Sequence, residues 1–153
     1  MKKIVLAAAA VAIAGAASFF ISWGSASNVT SEAKAATLFK NPQCSCCEGY
    51  ASYLRDNGYA VTVKATHDLP LIKRQNGVPE KLDGCHTTLI DGYVVEGHVP
   101  VKTINRLLSE RPKIKGISLP GMPEGSPGMT GRKSEPFTIY EISENPSKVY
   151  AVE

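Results

Sequence analysis

Between two β-rich runs, Thr87-Thr88-Leu89-Ile90 and Tyr93-Val94-Val95-Glu96-Gly97, stands the dipeptide Asp91-Gly92. A two-residue Asp-Gly connection adopts the turn whose twist matches two antiparallel strands, so this segment is expected to be a tight β-hairpin. The rest of the fold has to be arranged around it. Upstream, Thr37-Leu38-Phe39 reads as a strand and Asn41-Pro42-Gln43 as a turn. A helix then runs through Glu48 to Arg55 and stops at Asp56-Asn57-Gly58. Val61-Thr62-Val63 carries β-branched residues and reads as a second strand, and Leu69 to Gln75 as a short helix ended by Asn76-Gly77 and Pro79. Downstream, Val101 to Glu110 has apolar residues at 101, 104, 107 and 108, which is the spacing of one buried helical face.

The expected order is therefore β-α-β-α-β-β-α, an α/β fold with a mixed sheet, as in thioredoxins and glutaredoxins. After Pro112, Leu119 to Met129 is dense in glycine and proline and is expected to be a long loop. Phe137 to Ile142 and Val149 to Val152 read as a terminal hairpin that extends or covers the sheet.

The chain has 153 residues and begins Met1-Lys2-Lys3, followed by an uncharged apolar run from Ile4 to Trp23. Such a segment is a signal peptide or an N-terminal membrane anchor over residues 1–26, with small residues that allow cleavage as late as residue 35. Residues 27–36 then read as a linker and 37–153 as one domain. The lysines hold the N-terminus inside, so the domain is expected on the far side of the membrane, in the periplasm. Without Lys2 and Lys3, 15 basic residues face 14 acidic ones, a net charge of +1 against +3 for the whole chain. That balance does not suggest a nucleic-acid partner, and the membrane is a partner only if the leader stays uncleaved.

Export changes how four cysteines are read, since thiols outside the cytoplasm tend to oxidise and two structural disulfides would account for them. Three of the four, Cys44, Cys46 and Cys47, occupy four consecutive positions where a helix is expected to open. The free N–H groups there favour thiolate, the form that attacks disulfides and binds metals. Cys85 lies just ahead of the hairpin. Aligned on the strand and turn of glutaredoxins, it falls in contact with the Cys44-x-x-Cys47 pair, so that four thiols converge; otherwise it is a small buried hydrophobe.

Thiolates and thioethers select Cu(I), zinc or iron–sulfur clusters. Adjacent Cys46 and Cys47 do not easily share one tetrahedral zinc, whereas thiolates bridging more than one Cu(I) tolerate the crowding; zinc is the less favoured ion. Met122 and Met129, the two methionines besides the initiator, both lie in the Gly/Pro loop, either as soft ligands or as gap fillers. His86 is a ligand or a neighbour that tunes the thiolates. His98 ends the hairpin with no role assigned, and His67 reads as an exposed turn residue or cap.

Asn41-Pro-Gln-Cys44-Ser-Cys-Cys47-Glu-Gly, Cys85-His86-Thr87, the run Asp91 to Pro100, Pro120-Gly-Met122-Pro123 and Gly125-Ser-Pro-Gly-Met129 together closely resemble the CopG-type family of periplasmic copper-resistance proteins. The resemblance runs from about Thr37 to the C-terminus. It implies a thioredoxin-like fold and a copper site built from Cys44, Cys46, Cys47 and Cys85, with Met122 and Met129 as soft partners. It also implies a role in copper tolerance beside chaperone, efflux or oxidase proteins, and a redox activity toward copper. The competing reading is a thiol–disulfide oxidoreductase with Cys44 as nucleophile and Cys47 as resolving thiol. The sequence lacks the Trp before the first cysteine, the Gly-Pro between the pair and the cis-proline of true thioredoxins, which weighs against it.

Overall fold

The computed structural model describes residues 33–145 and 148–153. Its elements are β1 (Lys34–Lys40), α1 (Ser45–Asp56), β2 (Tyr59–Ala65), α2 (Leu69–Gln75), a 3-10 turn (Glu80–Leu82), β3 (His86–Ile90), β4 (Tyr93–Glu96), α3 (Val101–Glu110), β5 (Gly116–Ser118), β6 (Thr138–Ile142) and β7 (Val149–Val152). Seven strands form one mixed sheet in the order β2-β1-β3-β4-β5-β6-β7. The leader read over residues 1–26 lies outside the described residues. Among those described, no helix is long and apolar enough to cross a membrane.

The hairpin forms as its turn dictates. Asp91 and Gly92 both have positive φ, 48° and 83°, the requirement of the two-residue turn that matches strand twist. Thr87 pairs with Glu96 and Ile90 with Tyr93. Beside it β1 runs antiparallel to β3 and parallel to β2. That arrangement brings the C-terminal end of β1, and the α1 start that follows, to the same edge as the N-terminal end of β3.

Successive residues of a strand face opposite sides, and β4 shows both uses. Val95 joins the main core with Leu38, Leu54, Ile104, Leu107, Ile117 and Ile139, while Val94 packs in a second cluster with Val78, Leu82 and Ile142. The apolar stripe of α3 is buried as its spacing predicts, at 101, 104, 107 and 108. Leu38 is fully buried, and Leu38→Ala is expected to cost about 2–5 kcal/mol of stability in urea unfolding.

Two boundaries differ from the sequence reading. β1 begins at Lys34, inside the segment read as linker, because Lys34, Ala35 and Ala36 pair with Tyr59, Ala60 and Val61. The first strand thus starts ahead of Thr37. β5 is an added strand, parallel to β4 and antiparallel to β6, and it joins the terminal hairpin to the sheet. At three residues it is too short for alternation to reveal. A Cβ at Gly116 would fall well inside contact distance of the Val94 carbonyl, so this close strand pairing requires glycine there.

Candidate metal centre

Lys40, the last residue of β1, is 3% exposed. Its ammonium donates to the carbonyls of Asn41, Pro42 and Cys44, each at 3.2 Å, and pairs with Glu48 at 3.0 Å. Asn41 Oδ1 accepts from the Gln43 N–H at 3.0 Å and its carbonyl accepts from the Cys44 N–H at 3.0 Å. This tight turn sets Cys44 as the N-cap of α1 and makes Cys46 and Cys47 part of the first helical turn. Cys44 makes no side-chain cap bond, because its sulfur is used elsewhere.

Cys44 and Cys47 form a disulfide, with Cα atoms 5.5 Å apart; Cys46 and Cys85 are free and half-buried. Cys44 Sγ is 3.5 Å from Cys46 Sγ, and Cys85 Sγ is 3.9 Å from Cys46 Sγ and 3.7 Å from Cys47 Sγ. All four sulfurs lie within 4.8 Å of one another. The structure thus brings together the four cysteines singled out in the sequence. It also shows that the pair at the spacing of a redox motif is the pair that is joined.

Cys85 is not at a helix start but just ahead of β3. Burial, and then the neighbouring Cys46, push its pKa up to about 12. At neutral pH it carries its proton, and a metal has to displace that proton to be bound.

A residue with no role in the sequence reading sits against it. His98 is fully buried, with Nε2 2.9 Å from Cys85 Sγ and Nδ1 2.6 Å from the Pro127 carbonyl. A carbonyl only accepts, so Nδ1 carries the hydrogen and Nε2 presents its lone pair toward the sulfur. His86 Nδ1 is 3.3 Å from the same sulfur. Its ring lies 4.5 Å from Tyr50 and 4.8 Å from His98 between centroids, and its Nε2 has no hydrogen-bond partner. Cys85, His86 and His98 therefore form a second donor group that shares Cys85 with the four sulfurs.

Burial keeps both imidazoles neutral. The His86 pKa is well below its ordinary value, with His98 and Lys73 adding to the effect, and that of His98 is lowered too. The unfolded chain then takes up the protons first. Stability of the metal-free fold is full above about pH 6.5 and is lost as pH falls below it, toward the depressed folded-state values. Urea midpoints are expected to be lower at about pH 5.5 than at about pH 7.5, and the difference to shrink in His86→Leu. Glu96, whose carboxyl burial pushes up, titrates in the opposite sense, so that comparison isolates the imidazole part.

The Gly/Pro loop is ordered over this centre. Leu119 N donates to the Glu96 carbonyl at 3.0 Å and Gly121 N to Asp83 O at 3.1 Å, while Gly128 lies against Gly49 and Tyr50 of α1. Tyr50 in turn donates to the Val99 carbonyl at 2.8 Å. Met129 is half-buried and adjacent to Gly128, whereas Met122 is 55% exposed. His67 is exposed, in keeping with a turn residue.

A family described as "Protein of unknown function, DUF411" matches residues 82–129, the span that holds Cys85, His86, His98, Met122 and Met129. No curated protein matches the chain. Two solved structures, titled "Copper resistance protein copG- Form 2" and "Copper resistance protein copG- Form 1", are each 35% identical to it with a TM-score of 0.73. Each match covers 80% of this chain, and 99% and 98% of the respective solved chains. Identity at that level over most of both chains, with one fold, places this chain in the CopG family of copper resistance proteins.

Proposed function

We propose that this protein is exported to the periplasm and there binds Cu(I) through Cys44, Cys46, Cys47 and Cys85 as part of copper resistance. The observation that carries the reading is the convergence of four sulfurs from two distant chain segments within 4.8 Å. A donor set of that softness selects Cu(I) over hard cations. Four sulfurs that all lie within 4.8 Å of one another suit bridging between more than one ion better than a single zinc. His98 supplies a nitrogen donor and His86 a second; Met129, half-buried beside Gly128, is the candidate thioether, and Met122, being exposed, is the outlying candidate. The order β1-α1-β2-α2-β3-β4-α3, with the cysteine pair between β1 and α1, supports a thioredoxin-like reading of the fold. The apolar leader supports export by cleavage or by anchoring, and copper delivery or efflux proteins are the expected partners.

Sulfurs joined in a disulfide are poor metal ligands, so reduction of Cys44–Cys47 is required for the full site. Copper bound per chain is expected to be lower in protein isolated with this disulfide intact than after reduction. Because Cys85 holds its proton in the metal-free fold, affinity is also expected to rise with pH, by about tenfold per unit for each proton released. The test of the whole reading is metal analysis of protein isolated from the periplasm with and without copper stress. Copper in stoichiometric amount supports it, and zinc or no metal under copper stress contradicts it.

The Cys44–Cys47 disulfide favours one second reading, a thiol–disulfide oxidoreductase in which Cys44 attacks and Cys47 resolves. Turnover of a model disulfide that survives loss of Cys46 and Cys85 would support it.

A further inference from the structure

Lys73 of α2 and Glu96 at the end of β4 are 6% and 0% exposed, and their charged ends are in direct contact. The pair's other bonds converge on the chain just before Cys85. Lys73 Nζ donates to the Gly84 carbonyl at 2.9 Å, and the Gly84 N–H donates to Glu96 Oε1 at 2.7 Å. Thr87 Oγ1 donates to Glu96 Oε2 at 2.7 Å. One ion pair thus grips both backbone groups of Gly84. Asp83, at 4.0 Å from Lys73 Nζ, is the more distant acid.

The two gripped segments are the ones that carry the site. Cys85 follows Gly84, and His98 is two residues beyond Glu96. Gly84 and Gly97 touch so closely that a Cβ on Gly84 would lie 2.6 Å from the Gly97 Cα. The Cys85 sulfur then meets His98 Nε2 at 2.9 Å.

A buried ion pair is a weak way to stabilise a fold, because removing two charges from water offsets their attraction and an apolar pair of similar volume often serves as well. Charges do provide directed bonds to one chosen peptide group, which methyl groups cannot. Cys85 needs such a hold, since it follows a glycine and precedes β3, outside any strand.

We propose that the Lys73–Glu96 pair positions Cys85: by clamping Gly84 it holds the Cys85 sulfur against Cys46 and Cys47, and so sets the metal affinity of the site. The proposal rests on the metal-binding reading, so its test includes a probe that needs no copper. With Cys44–Cys47 oxidised, Cys46 and Cys85 are the free thiols, and phenylarsine oxide can join them. Two arsenic–sulfur bonds replace the arsenic–oxygen bond, both thiol protons leave in one water, and nothing is oxidised or reduced.

The comparison is between wild type and the double variant Lys73→Met with Glu96→Leu, each measured for urea midpoint, arsenical binding and Cu(I) affinity. The double variant, which leaves Gly84 N–H, Gly84 C=O and Thr87 Oγ1 without these partners, is expected to unfold cooperatively at a lower midpoint than wild type and to bind both the arsenical and Cu(I) about 10- to 100-fold more weakly, as for loss of groups that orient metal ligands. The near-isosteric Glu96→Gln, which keeps shape and loses charge, is expected to shift the same way by a smaller factor. Wild-type affinity for the arsenical in a folded double variant overturns the proposal. So does failure of both variants to fold, since the pair is then a stability element. If wild type binds the arsenical but no copper, the copper reading fails and the positioning role stands on the arsenical comparison.

Discussion

Cys85→Ser is expected to weaken Cu(I) binding by about a hundredfold or more and to leave the fold intact. Cys85 is the one sulfur contributed from outside the α1 start, and it lies within 4 Å of both Cys46 and Cys47. It is also the atom shared by the sulfur group and the histidine group. A hydroxyl oxygen is a hard donor that Cu(I) does not favour, so serine removes the link between the two groups. Loss of a partner that merely orients a ligand already costs about 10–100-fold, and loss of the ligand is expected to exceed that. Competition against a chromophoric Cu(I) chelator reads the affinity, and a urea midpoint near wild type shows that the fold persists. Equal affinity in Cys85→Ser would remove Cys85 from the site.

Gly128→Ala is expected to produce the second large effect, on stability and on the loop that closes the centre. Gly128 has φ +78°, and a Cβ there would lie 2.4 Å from Tyr50 N; reciprocally, a Cβ on Gly49 would lie 2.7 Å from Gly128 O. Helix and loop touch backbone to backbone, with no side chain able to yield. The left-handed conformation costs a non-glycine residue roughly 1–2 kcal/mol, and overpacking typically adds 1–3 kcal/mol. A loss of about 3 kcal/mol follows, or a fall in Tm of roughly 10 °C for a domain of this size. Lifting this loop also draws the Pro127 carbonyl away from His98 Nδ1. Gly58→Ala is the control: its φ is +86° but nothing lies within 4 Å, so only the conformational part, about 1–2 kcal/mol, is expected. Equal melting temperatures for the two variants would contradict the close packing.

Much of this site was legible because it follows from one turn. Given a two-residue connection at Asp91-Gly92, Thr87 faces Glu96, and just beyond the two strand ends Cys85 and His98 meet, Sγ to Nε2 at 2.9 Å. The spacing therefore carries a signal for His98, two residues past Glu96. The convergence of Cys85 on the first three cysteines was readable from the same topology, since β1 and β3 are antiparallel neighbours.

What stayed hidden depends on packing between distant residues. Nothing local marks Lys40, Lys73 and Glu96 as buried, since a lysine that reaches three carbonyls cannot be told in sequence from one that reaches water. Cysteine spacing allowed a Cys44–Cys47 bridge as well as four free thiols, and geometry decided for the bridge. β5 carries too few residues for a pattern, and β1 was read short because the alanines at its start have weak strand preference. Sequence places both methionines in one Gly/Pro loop, and only the folded loop separates an exposed Met122 from a half-buried Met129.

The most direct test of the central claim is a Cu(I) titration of the anaerobically reduced protein beside a variant with Cys44, Cys46, Cys47 and Cys85 all changed to serine, read by copper–thiolate absorption and by metal analysis after dialysis. A saturable, stoichiometric copper load that survives dialysis in wild type and is absent from the variant is the predicted result. Trace copper in wild type, or an equal load in both proteins, would contradict it.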